Sequence, residues 1–122
     1  MRLLNTKVHE ISFNDHFDRL PSNEEVSLRL TLTHILESKN ANHLCKSVVT
    51  IEHEDFLIIN ATFYSTLQGD KGDSPDKDWL HKESINLVYP QIRLMISSVM
   101  AASMLRPITI PDIPPETILS ND

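Results

Sequence analysis

Only two glycines, Gly69 and Gly72, occur in 122 residues. A loop that cradles phosphate needs several glycines so that backbone amides can approach the anion, and this chain cannot build one. There is a single cysteine, Cys45, so no disulfide can close within the chain, and a reducing, cytoplasmic setting is the expectation. Basic residues are in deficit. Eleven Lys and Arg face seventeen Asp and Glu, a net charge of −6, which argues against a dedicated nucleic-acid binder and fits basic or cationic partners. No run approaches 18 consecutive apolar residues, so membrane insertion is not expected. The opening MRLLNTKVHEISF has too few apolar residues for a secretory signal, and Lys7, His9 and Glu10 interrupt them.

What is present is the composition of an ordinary globular domain, 40% hydrophobic and 23% charged. At 13.9 kDa the chain suits one domain spanning 1–122. Domains of this size bury only about two-thirds of their unfolded surface and often gain by pairing with copies of themselves.

Residues 2–14 read as a first strand with imperfect alternation, Val8 falling on one face and Ile11 and Phe13 on the other. Residues 25–36 give the clearest signal: Val26, Leu28, Leu30 and Leu32 alternate with polar residues, a strand with one face buried. Glu37 to Asn42 reads as a turn. Further strands are expected over 43–53 and 56–67, the latter rich in β-branched and aromatic residues. A solvated loop with Asp70, Asp73, Asp76 and Asp78 follows. Ser74 as N-cap and Pro75 as first helical residue predict a short helix over 75–84. The main helix is expected over 89–104, with Pro90 in its first turn and Ile92, Met95, Ile96, Val99, Met100 and Ser103 at spacings of three and four. Arg93 is its only charge, so it needs cover on more than one side, from the sheet and from a second subunit. Four prolines in PITIPDIPPE make 106–118 an extended crossover. Four strands followed by helix predict an α+β fold: a four-stranded antiparallel meander with a main C-terminal helix packed on one face.

Constellations that would carry chemistry are weak. His9, His16, His34, His43, His53 and His81 form no HExxH, and His43 with Cys45 lacks the further ligands of a zinc site. The four aspartates miss the EF-hand spacing and sit beside Lys71 and Lys77. Asn60-Ala61-Thr62 fits a glycosylation sequon but lies inside a predicted strand. Cys45 reads as a small buried hydrophobe, and Ser97 and Ser98 lack a nucleophile-elbow context. No metal, no cofactor and no catalytic residue is expected.

Two stretches carry a family likeness. Lys7-Val8-His9-Glu10-Ile11-Ser12-Phe13 resembles the first strand of SecB, the bacterial protein-export chaperone, which carries a K-[DE]-I-S-F run. Asn86-Leu87-Val88-Tyr89-Pro90-Gln91-Ile92-Arg93 is similar to the N-I-L-F-P-Y-A-R segment that opens the SecB main helix. The likeness continues through Ile96 to Met100, then Leu105, Ile108, Ile110 and Ile113 in the crossover. Phe56-Leu57-Ile58-Ile59 matches a similar F-L run. There are departures. Ala102 and Ser103 stand where SecB has Arg-Gly, and Pro114-Pro115-Glu116-Thr117-Ile118 stands where it has N-F-D-A-L-F. The expectation is a shortened, divergent SecB-like chain in which the second helix and acidic tail are largely absent.

The resemblance implies a non-catalytic cytoplasmic chaperone or holdase that binds unfolded polypeptides or preproteins in apolar grooves, assembled as a dimer or a dimer of dimers through the first strand and main helix. Groove linings should be adaptable, which suits methionine and aromatics. The groove candidates are Phe56, Phe63 and Tyr64 on the fourth strand and Met95, Met100 and Met104 on or just after the main helix. Leu105, Ile108 and Ile110 on the crossover complete them. In the family an acidic sheet surface contacts the SecA translocase motor. Glu10 matches one such position, but Asn14 and Ile59 stand where others would be acidic. Two other readings stay open: a SecB scaffold specific for one partner, such as an antitoxin or a phage or host protein, and a small-molecule or catalytic domain with a polar pocket near His34 or His81.

Overall fold

In the computed structural model, the described residues are 1–15, 29–53, 57–102, 110 and 118–119. They form β1 (Arg2–Asp15), β2 (Arg29–Lys39), β3 (Asn42–His53), β4 (Leu57–Gln68), α1 (Lys77–Ala102) and β5 (Ile118–Leu119). The sheet order is β1-β4-β3-β2-β5. The expected meander holds for β2, β3 and β4, which pair antiparallel as successive neighbours. β1 does not precede β2 in the sheet. It pairs antiparallel with β4, the arrangement of a Greek key. The crossover expected over 106–118 ends in β5, which runs parallel to β2 opposite Thr33 and His34.

Alternation decides which side chains go inside. In register, Leu32, His34 and Leu36 of β2 lie beside Val49, Ser47 and Cys45 of β3, and these lie beside Ala61, Phe63 and Ser65 of β4. This is the face that α1 covers, and its central side chains are nearly inaccessible, Phe63 and Ile59 at 0% and Leu32 and Val49 at 1%. Each such aliphatic or aromatic burial contributes roughly 1.5–3 kcal/mol. The turn between β2 and β3 is two residues, Asn40 and Ala41, closed by the Lys39–Asn42 pair. Asn40 takes φ 58°, a left-handed conformation that asparagine tolerates better than most residues.

The irregular pattern of β1 has a structural cause. Its pairing with β4 slips between Leu3 and Asn5 and again between Val8 and Glu10. Each slip inserts one extra residue, a β-bulge. The second bulge reverses the parity after His9, so Val8, Ile11 and Phe13 all face the helix side, opposite Phe63, Ala61 and Ile59. The two-face reading of these residues is thereby corrected.

The helical region also differs from expectation. The two helices expected over 75–84 and 89–104 are one continuous helix of 26 residues with Pro90 inside it. Proline there removes the bond to the Asn86 carbonyl, at a cost of about 3 kcal/mol in a helix interior. Asn86 and Pro90 are both exposed, so water can take that carbonyl. Ile85, Val88, Tyr89 and Ile92 are buried and anchor both halves to the sheet. The helix start lies at Asp76, not Ser74. The Asp76 carbonyl accepts the first helical bond from Leu80 N–H at 3.0 Å, and Ser74 Oγ accepts from Asp76 N–H at 3.2 Å.

The loop before α1 spends its acids on its own structure. Asp73 accepts from Asp70 N–H at 2.9 Å and from the N-terminal ammonium of Met1 at 2.7 Å. The ammonium holds the Asp73 carboxyl below its usual range. Gly69 closes the loop onto the β2–β3 turn, its N–H donating to the Ala41 carbonyl at 2.6 Å. A Cβ at Gly69 would lie 2.6 Å from that same oxygen, whereas one at Gly72 meets nothing within 4 Å. Gly69→Ala is therefore expected to lower stability by about 1–3 kcal/mol and Gly72→Ala to leave it nearly unchanged, as read by urea titration.

Candidate polypeptide-binding surfaces

Under α1 lies a polar cluster set into the apolar core. His34 is 1% exposed, Ser47 and Ser84 are at 0% and His81 is at 8%. Ser84 Oγ donates to the His81 backbone carbonyl at 2.8 Å. It therefore accepts from Nε2–H of His34, also at 2.8 Å. The neutral ring then accepts at Nδ1 from Ser47 Oγ at 2.9 Å, so one tautomer satisfies both nitrogens. The His81 ring meets that of His34 edge-on at 5.1 Å, and both its nitrogens are buried without a partner among the described residues. Burial first, and the neighbouring His81 second, push the His34 pKa down to about 4. Burial also lowers His81. Burial raises the Cys45 thiol to about 12, offset in part by Ser84, which makes it a poor nucleophile. This cluster brings His34 and His81 together as buried packing groups between helix and sheet. Among the described residues no three His, Cys, Asp or Glu side chains are grouped to hold a metal.

The groove candidates separate into three groups. Phe63 at 0%, Met100 at 3% and Ile110 at 5% are core residues and cannot line an open groove in the folded chain. Their apolar character is consumed by the sheet–helix interface. Tyr64 is 42% exposed, on the sheet face turned away from α1, and Met95 is half-buried against the core. Phe56, Met104, Leu105 and Ile108 lie outside the described residues.

Sequence reasoning missed the apolar surface that the sheet leaves partly open. α1 packs against β1, β2 and β4, yet its cover of β1 is incomplete. Val8 faces the helix side and is still 40% exposed, and Leu3, Ile11 and Phe13 beside it are half-buried. β1 is the terminal strand of the sheet, so its outer backbone edge has no strand partner among the described residues. On the helix, Leu80, Leu87 and Leu94 recur at intervals of seven, a single stripe along the cylinder. Leu80 and Leu87 are half-buried, and Leu94 is 61% exposed.

No protein-family model matches the sequence, and no curated protein matches it. Solved structures do match. The Mycobacterium tuberculosis Rv1957 SecB-like chaperone, in complex with a ChAD peptide from the Rv1956 HigA1 antitoxin, superposes with a TM-score of 0.69 over 93% of this chain and 87% of that one, at 13% identity. The fold is SecB-like. A protein of unknown function from Streptococcus agalactiae matches at a TM-score of 0.45 and 11% identity, over 91% of this chain and 95% of that one, and carries no argument. On the SecB-like sheet, Glu10 and Asn14 are exposed on the face away from the helix, opposite Thr62 and Ile58. Ile59 is fully buried on the helix side, so it is not part of the surface on which an acidic partner contact was sought.

Proposed function

We propose that this chain is a non-catalytic, SecB-like polypeptide-binding protein of the chaperone or holdase type, working as a homo-oligomer. The observation that carries the reading is the half-open apolar rim of β1, with Val8, Ile11 and Phe13 in a row beside a strand edge that has no partner among the described residues. A folded chain covering these side chains with its own helix would have no surface to offer. Here they stay available to an extended segment, with main-chain hydrogen bonds along β1 available to the same segment. Each 100 Å² of apolar surface covered releases roughly 2.5 kcal/mol before ordering costs are met. Met95 joins the rim in this reading. The stripe of Leu80, Leu87 and Leu94 serves assembly into a dimer or a dimer of dimers. No cofactor is needed, and the buried, single Cys45 suits a reducing cytoplasm.

A second reading has one observation in its favour. The similar Rv1957 chaperone was solved with a peptide from an antitoxin, so a single dedicated partner is the alternative to general clients. Suppression of aggregation of a refolding client, with oligomer mass from light scattering, separates the two. The general reading expects suppression at near-stoichiometric oligomer. A well-formed oligomer that suppresses nothing and retains one stoichiometric partner from cells supports the dedicated one.

A further inference from the structure

The face of the sheet turned away from α1 carries a second feature that the apolar rim does not use. Register places Lys7, Tyr64 and Lys46 in one straight row across β1, β4 and β3, and Ile35 of β2 extends the row beyond Lys46. In the adjoining row Leu44 is 52% exposed, next to Tyr64 at 42%. These side chains, with one acidic residue, Glu37 opposite Leu44, line a cavity of about 390 Å³. The ring of His9 packs edge-on against Tyr64 at 5.1 Å. Neither lysine is in a salt bridge among the described residues. Strands lie about 4.8 Å apart, so the two lysine Cα atoms stand about 10 Å apart with the tyrosine between them.

Charge distribution names the occupant. The chain as a whole carries −6. Among the described residues this sheet face holds five basic side chains, Arg2, Lys7, Arg29, Lys39 and Lys46, against three acidic ones, Glu10, Glu37 and Glu52. It is a locally positive face on an acidic protein. Two unpaired ammonium groups flanking an aromatic and aliphatic floor complement carboxylates flanking an apolar side chain. We propose that this face binds an extended acidic polypeptide segment of a partner. An apolar side chain of the segment rests on Tyr64 and Leu44, and acidic side chains two to four positions apart reach Lys7 and Lys46. Such residues in an extended chain are separated by about 7–13 Å, within the span of the two lysines. Tyrosine flanked by charge is a common centre of binding energy at interfaces.

The site stands on the opposite side of the sheet from the rim assigned to unfolded clients, so the two can fail separately. The test uses the full chain and two synthetic twelve-residue peptides with the same central Leu-Phe pair, one flanked by Glu and one by Lys, titrated by amide chemical shifts. The Glu peptide is expected to bind at least tenfold more tightly at low salt, to shift amides around Tyr64, and to weaken as salt rises. The double variant Lys7→Glu with Lys46→Glu, two exposed positions, is expected to melt as wild type does and to reverse the preference by tenfold or more. Equal binding of both peptides, no binding, or Glu-peptide binding that survives the charge reversal each overturns the proposal. In the last case shifts confined to β1 and α1 would assign the peptide to the client rim and leave the chaperone reading standing.

Discussion

Met100→Asp will leave the chain unfolded or aggregated under conditions in which the unsubstituted protein melts cooperatively. Met100 is 3% exposed and belongs to the cluster that joins α1 to the sheet. The substitution removes the thioether's packing and puts a carboxylate where no described cation pairs with it. Losing a large buried side chain costs about 2–5 kcal/mol, and an unpaired buried acid adds several more or forces protonation. A domain of this size has about 5–15 kcal/mol in total. Circular dichroism and light scattering report the outcome, and Met100→Leu, which keeps volume and polarity, should stay within about 1.5 kcal/mol of wild type. A Met100→Asp protein with unchanged melting and unchanged mass would refute the placement of this helix face.

Acidification from pH 7.5 to 4.5 will lower the stability of the chain, and His34 will be the principal cause. Its pKa in the folded chain is about 4 because it is buried beside His81, while an unfolded histidine sits near 6.5. The unfolded chain therefore binds the proton more tightly. The stability that neutral His34 contributes is fully present above pH 6.5 and is lost progressively as pH falls toward 4. The difference of about 2.5 units corresponds to roughly 3 kcal/mol for this group alone. His81 is lowered as well, by burial, with Asp78 opposing, and adds in the same direction. Urea titrations at pH 7.5, 6.5, 5.5 and 4.5 measure the slope. His34→Gln, which retains a donor and an acceptor but no titration, should be less stable at pH 7.5 and flatter across the series. Equal slopes in the two proteins would contradict the assignment.

Much of the fold was legible because its strands follow a period of two. The parity of Leu30 and Leu32 in β2 continues directly into His34, and this is also where the reading fell short. The residue type of His34 suggests surface, but its position in the alternation places it inside. His81, Ser84, Ile85 and Val88 share one buried side of α1 at the spacings of a helix face, so the polar cluster was readable from the two patterns combined. The position of β1 was not. Which edge a first strand joins depends on the long connection and on twist, and neither leaves a local mark. Its two bulges had one visible trace, the broken alternation after Val8.

Proline misled the reading of α1. Pro90 suits a first helical turn, and nothing local shows that Ile85, Val88 and Ile92 hold one continuous helix against the sheet. Three of the groove candidates are buried for a related reason. Phe63, Met100 and Ile110 have the composition of an adaptable binding surface, which is equally the composition of a core. Only the third dimension separates those from Val8 and Leu94, which stay exposed.

Hydrogen exchange of the full chain, with and without a reduced and carboxymethylated unfolded client, tests the central claim most directly. The account predicts new protection of β1 amides around Val8 to Phe13 and of α1 around Met95, with the outer sheet face around Tyr64 unchanged. A client that binds while β1 exchanges as before, or protects only the outer face, would contradict it.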